Sequence, residues 1–273
     1  EQILGASALI RGDPLIKAPI FKKISDVDTS TIKAKSFIAF DLESGENLFE
    51  KNPDQQLAIA SLTKLLTGFV AYQNSDLNQN FTINQRNVTS IKPSLGLTAG
   101  DTVKTLDLFI AMLIGSCNDS ALALADYTEG LVKTNFVKLM NQQATALGML
   151  NSHFSNVVGF DSKNNFSTAN DIKKLIIATQ NLAVFKNLGR RAAYEFTGES
   201  GKLYSTVTTN KLLNSYPDIE AIKTGFTETA GGSMASKLTI NNRKVVILVI
   251  SSQNREEDTL SMKELLLKHI VLN

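Results

Sequence analysis

Residues 233–251 read Ser233-Met-Ala-Ser-Lys-Leu-Thr-Ile-Asn-Asn-Arg-Lys-Val-Val-Ile-Leu-Val-Ile-Ser251. Two runs with strand character, Ser233 to Ile240 and Arg243 to Ser251, are separated by Asn241 and Asn242 alone, the spacing and residue type of a two-residue hairpin turn. Working outward, Ile219 to Thr224 predicts a strand just before this hairpin, and Ala192 to Thr197 and Leu203 to Thr208 have the same character. Near the other end, Ser36 to Asp41 and Asn47 to Glu50 flank the turn Glu43-Ser-Gly45-Glu and predict a second hairpin. The middle is helical. Apolar residues recur at helical spacing from Ser61 to about Gln73, and further helices are predicted at Leu106 to Ile114, Ser120 to Tyr127 and Asn135 to Leu147. Thr168-Ala-Asn-Asp171 resembles a capping box for a helix to Gln180, Asn151 to Phe166 is a polar, Asn-rich loop, and a last helix closes the chain. Strands at both ends around helices imply an α/β (α+β) fold. The expected core is a mostly antiparallel sheet flanked by helices, its N- and C-terminal strands paired, with a helical subdomain inserted at about 75–185. Residues 1–32, holding Pro14 and Pro19 without clear periodicity, read as an extended lead-in.

Composition narrows the chemistry. A length of 273 residues, 43% of them hydrophobic, fits one large globular domain or two intimately packed ones. The net charge of +2, with no basic run interleaved with aromatics, argues against a nucleic-acid partner. The longest apolar stretches, such as Val245 to Ile250, fall far short of the roughly 20 residues that cross a bilayer. A single cysteine, Cys117, excludes an internal disulfide and a Cys-rich metal framework. The 2 histidines, His153 and His269, are far apart in sequence, so neither a metal or other cofactor nor a Ser-His-Asp triad is expected. The chain begins at Glu1 without a Met, a basic n-region or an apolar h-region, as expected if an export signal or membrane anchor lies outside it.

Three short segments carry the candidate chemistry: Ser61-Leu-Thr-Lys64, Ser116-Cys-Asn118 and Lys223-Thr-Gly225. Acyl transfer by a serine needs a hydroxyl, a base within reach and donors for the developing oxyanion. On a helix, positions i and i+3 share a face, so Lys64 can fold back toward Ser61, while the helix start supplies unpaired N–H groups. Lys64 is a base only if burial and a neighbouring cation depress its pKa, and Lys223 is the candidate cation. Lys223 and Thr224 also suit a substrate carboxylate, and Gly225 leaves room for substrate beside the strand. Ser116 could relay a proton to a leaving amine. Asn118 could hold Lys64 or a substrate amide. Cys117 has no nearby His in sequence to make it a thiolate.

The resemblance extends beyond these triplets. Ala60-Ser-Leu-Thr-Lys-Leu-Leu-Thr67, Leu97-Thr-Ala-Gly-Asp101, Ser116-Cys-Asn-Asp119, Phe136-Val-Lys-Leu-Met-Asn141, Leu147-Gly-Met149, Ser167-Thr-Ala-Asn-Asp171 and Ile222-Lys-Thr-Gly-Phe-Thr-Glu-Thr-Ala-Gly231 resemble blocks of one family. It is the low-molecular-mass penicillin-binding proteins, serine-type D-alanyl-D-alanine carboxypeptidases of peptidase family S11, and the resemblance covers about residues 34–271. It implies a β-lactamase/transpeptidase-like fold, with residues 33–273 as the catalytic domain. It also implies Ser61 as the acylated serine, Lys64 as proton acceptor, Ser116 and Asn118 as the second element, and Lys223 and Thr224 as the carboxylate site. The backbone N–H groups of Ser61 and Phe226 would form the oxyanion hole. Implied partners are a peptidoglycan stem peptide and, as acylating inhibitors, β-lactams, met outside the cytoplasmic membrane. Phe226 stands where several relatives carry His, and the additional β-rich domain of many relatives is not expected within these residues. A D,D-endopeptidase acting on cross-links uses the same residues. A class A β-lactamase needs a Glu on the loop between the second and third segments, and there is none between Glu129 and Glu195. A non-catalytic peptidoglycan-binding module would be expected to have lost Ser61 or Lys64. Arg255 could add a second charge for the substrate carboxylate, but beside Glu256 and Glu257 it is expected at the surface.

Overall fold

The computed structural model describes residues 21–23 and 27–272. Its centre is a five-stranded sheet built from β2 (Ser36–Asp41), β3 (Asn47–Lys51), β8 (Ile219–Thr227), β9 (Gly231–Ile240) and β10 (Arg243–Ser252), in the order β3-β2-β10-β9-β8 with every pairing antiparallel. β2 therefore lies against β10, and the N- and C-terminal strands pair as expected. Asp41 opposes Val245 in register, and its carboxylate receives the Arg243 Nε–H at 2.6 Å in a buried ion pair. The β9–β10 hairpin closes through Asn241 and Asn242 at φ 48° and 63°, left-handed values that asparagine tolerates well.

Both faces of the sheet are covered, so alternate residues of one strand enter different cores. Ile38, Phe40, Val246, Leu248 and Ile250 point into the larger core with α1 (Thr63–Asn74) and α5 (Ala169–Gln180). Phe37, Ala39, Val245, Ile247 and Val249 point the other way, onto Met262 and Leu266 of α7 (Arg255–His269). The segment between β3 and β8 supplies the remaining helices: α2 (Thr105–Ile114), α3 (Asn118–Val132), α4 (Phe136–Ala146) and the short α6 (Ala183–Lys186). It also carries two small hairpins, β4 (Asn80–Thr82) with β5 (Thr102–Lys104), and β6 (Ala193–Thr197) with β7 (Leu203–Val207). The first of these was not legible in the sequence.

The structure extends the helix expected at 120–127 to Asn118–Val132, so Asn118 is its first residue rather than part of a preceding turn. The lead-in expected over 1–32 lies outside the described residues through position 20 and again at 24–26. Its described part is more than a spacer. Phe21–Lys23 forms strand β1, paired with β11 (Ile270–Leu272) directly after α7, and Ile32 is buried against the sheet. No helix among the described residues is long and apolar enough to cross a membrane.

Candidate active site

Ala60–Leu62 forms a 3₁₀ turn that runs into α1, with Ala60 at φ 46°, an uncommon left-handed value for a residue with a side chain. Ser61 sits in this turn, and Lys64, wholly buried, lies one helical turn on. Their Oγ and Nζ are 2.9 Å apart, and Lys64 Nζ also donates to the Val158 carbonyl at 2.7 Å. Two backbone segments clamp the turn. A Cβ on Gly225 would stand 2.9 Å from both the Ile59 oxygen and the Ser61 nitrogen, and one on Gly159, at φ +88°, would stand 1.9 Å from the Ala60 oxygen. Gly225 thus lets β8 approach the serine turn itself. The atoms a Cβ would meet include the Ser61 nitrogen, so the missing side chain also keeps that N–H clear.

Ser116 lies between α2 and α3 with φ 59°. Gly115 before it packs so closely on β7 that a Cβ would fall 1.8 Å from Thr206 Oγ1, and the buried Cys117 thiol after it donates to the same oxygen at 3.5 Å. The Ser116 hydroxyl receives Lys223 Nζ–H at 2.8 Å, and Lys223 donates as well to the Thr224 carbonyl at 2.9 Å. Lys223 follows a register shift in β8 between Ala221 and Lys223, an irregularity that re-aims the side chains after it. Because β8 is the outermost strand beside β9, its other edge faces the serine turn. Ser61 with Lys64 and Ser116 with Lys223 form two hydrogen-bonded pairs, brought together where Gly225 of β8 meets the serine turn, whereas Thr224 is held by a hydroxyl contact with Thr209. Asn118 is buried at the edge of the group, and its side-chain amide donates to the Ile91 carbonyl at 3.0 Å rather than to Lys64.

Burial is the chief reason the Lys64 ammonium is destabilised, and it brings the Lys64 pKa down to about 7, with Cys117 and Asp119 pulling the other way. Of the two causes expected, burial is the larger for Lys64, and the repulsion between the two ammonium groups acts with it. Lys223 is itself pushed well below its ordinary range, first by burial, then by the Lys64 charge and by Arg255. The Cys117 thiol is raised by burial, which removes it as a rival nucleophile.

A family model described as Peptidase S11, D-alanyl-D-alanine carboxypeptidase, matches residues 23–254. The chain belongs to the S11 family. D-alanyl-D-alanine carboxypeptidase DacC of Escherichia coli is 30% identical over 243 residues, which cover 83% of this chain and 58% of the relative. The chain thus spans about three fifths of the length of such a carboxypeptidase. A D-alanyl-D-alanine endopeptidase of Pseudomonas aeruginosa is 29% identical over 222 residues, covering 80% of this chain and 71% of that one. Among solved structures, the Streptomyces K15 DD-transpeptidase superposes with a TM-score of 0.80 at 27% identity, covering 88% of this chain and 98% of that chain. The α/β architecture expected from the strand and helix order is therefore that of the S11 DD-peptidases.

Two features of this S11 chain stand out beyond the motif residues. Phe226 on β8 is 61% exposed, a large apolar ring left at the mouth of the group. Arg255, expected at the surface, has a side chain only 14% exposed, and its Nη1–H donates to the Gly225 carbonyl at 2.8 Å. It is the first residue of α7, and only the fold brings that helix end to β8.

Proposed function

We propose that the protein is a serine D,D-peptidase that removes the terminal D-Ala from peptidoglycan stem peptides through an acyl-enzyme on Ser61, outside the cytoplasmic membrane. The observation that carries this reading is the 2.9 Å contact between Ser61 Oγ and a wholly buried Lys64 whose pKa lies near 7. A neutral amine there accepts the Ser61 proton as Oγ attacks the penultimate D-Ala carbonyl, and the backbone N–H groups of Ser61 and Phe226 take the oxyanion. As the tetrahedral intermediate collapses, the C–N bond breaks and D-Ala leaves with a proton relayed through Ser116 from the Lys64 and Lys223 side. Lys223, Thr224 and Arg255 receive the substrate carboxylate, and Asn118 the peptide backbone. Water then cleaves the ester and restores Ser61. β-Lactams acylate the same serine, and no cofactor takes part.

The loop from Asn151 to Phe166 offers Lys64 the Val158 carbonyl, and no Glu lies between Glu129 and Glu195 to serve as the deacylating glutamate of a class A β-lactamase, which supports slow loss of a penicilloyl group. The test is intact mass after incubation with benzylpenicillin, followed by a D-Ala release assay, each beside Ser61→Ala. A stable adduct and D-Ala release from wild type alone are expected; rapid turnover of the drug, or equal release by the variant, refutes the reading. The endopeptidase relative favours one second reading, cleavage of cross-links by the same residues, distinguished by comparing cross-linked with linear muropeptides.

A further inference from the structure

Lys64 Nζ has two hydrogen-bond partners among the described residues, and they differ in kind. The Ser61 hydroxyl can donate or accept, but the Val158 carbonyl can only accept, so it commits one N–H of the amine. With that N–H fixed at 2.7 Å, rotation about the Cε–Nζ bond is restricted, and the lone pair of a neutral amine can face Ser61. A serine–lysine pair has no third side chain to orient its base. Here a backbone oxygen stands in that place.

That oxygen has its own support. Asn156 Oδ1 receives three successive backbone N–H groups, from Val158 at 3.2 Å, Gly159 at 2.7 Å and Phe160 at 3.0 Å, and its Nδ2–H donates to the Phe160 carbonyl at 3.1 Å. The segment is tied to α1 one residue earlier, where Thr67 Oγ1–H donates to the Val157 carbonyl at 2.7 Å, and Gly159 crosses directly over Ala60. We infer that Asn156 is a positioning residue for the acylation step: by gathering these three amides it aims the Val158 carbonyl at Lys64 and thereby orients the base toward Ser61. This rests on the reading of Ser61 and Lys64 as nucleophile and base. The charged and titratable groups around Lys64 are Cys117 and Asp119 from the turn before α3 and the start of that helix, and Lys223 from β8 with Arg255 behind it. None of them is among the hydrogen-bond partners of Asn156, and Asn156→Ala leaves their number and sign unchanged.

The test compares wild type, Ser61→Ala, Asn156→Ala and Asn156→Asp for the rate of acylation by a chromogenic cephalosporin across pH 5 to 9, with thermal unfolding of each. Asn156→Asp keeps the accepting oxygen. In Asn156→Ala the high-pH plateau should fall about 10- to 100-fold, the cost of a misplaced catalytic group, and the midpoint should move to lower pH, because a carbonyl that accepts from Lys64 favours the charged form. Asn156→Asp should recover the plateau to within about threefold, since Oδ still receives the three amides. If Asn156→Ala does not fold, Asn156→Ser, whose short hydroxyl cannot span three amides, takes its place with the same expectation. An alanine or serine variant with the wild-type plateau and midpoint overturns the inference. So does one that loses rate only in proportion to its unfolded fraction with the midpoint unmoved. Absence of acylation in wild type itself would instead remove the proposed function.

Discussion

At the scale of single residues, the site depends on one lysine being uncharged near neutrality. Lys64 titrates near pH 7 because it is desolvated. Below that value the ammonium has no lone pair for the Ser61 proton. Acylation by a β-lactam should therefore fall about tenfold for each pH unit below the midpoint and level off above it, as stopped-flow or mass-spectrometric rates across pH would show. Glycine carries the second prediction at this scale. Gly225→Ala inserts a methyl 2.9 Å from two backbone atoms of the serine turn, and neither strand nor turn can swing aside as a flexible side chain would. The variant should lose at least roughly tenfold in acylation rate and several degrees in melting temperature. The Ser61 and Lys64 contact was legible in the sequence because i and i+3 are close on any helical turn. The Val158 carbonyl was not, since a backbone oxygen carries no residue signature and its partner lies 94 positions away. For Arg255 the surface reading outweighed the carboxylate one for a related reason. Two neighbouring glutamates made it look solvated, and one of them, Glu256, does pair with it at 3.1 Å while Nη1 turns to β8.

At the scale of elements, β8 does two things that its sequence pattern alone does not reveal. Its register shift between Ala221 and Lys223 depends on how β9 pairs with it. In a strand, a one-residue change of register reverses the face every later side chain occupies. The strand itself was readable from Ile219 to Thr224, but not which face Lys223 would take. The β9–β10 hairpin was the opposite case, because length, β-branched content and the two-asparagine turn all agree. Its geometry gives a third prediction. Asn242 sits at φ 63°, a left-handed value that asparagine tolerates and alanine does not. Asn242→Ala should cost about 1 kcal/mol in stability, read as a fall in melting temperature of a few degrees, with the acylation rate unchanged. The polar loop from Asn151 to Phe166 was foreseen as a loop. Its asparagines look like disorder-prone composition in sequence, yet Asn156 and Asn165 spend their side chains tying its backbone down.

At the scale of the whole molecule, the layered order was the most legible property, because strands at both ends of a helical chain leave few ways to bury both faces of a sheet. The edge pairing of β1 with β11 was not legible, as each strand has 3 residues and little pattern. Removing residues 1–26 deletes that pairing while leaving the five-stranded sheet intact. The shortened protein should melt roughly 2 to 4 °C lower, about 1 kcal/mol for a domain of this size, and should be acylated by benzylpenicillin at the full rate. A loss of acylation on truncation would mean that the edge strands reach the site.

The pairing of β2 with β10 has a temporal side. Asp41 and Arg243, 202 residues apart, meet across neighbouring strands, so the central sheet is completed only after β10, late in the chain, has been made. Ser61 and Ser116 are synthesised long before Lys223, and the serine turn lacks the β8 backbone packed against it until that strand docks. On the proposed mechanism, Lys64 is solvated and charged until then, and the serine beside it lacks a base. A chain still being made would thus carry no reactive serine, and reactivity would arrive together with the finished fold.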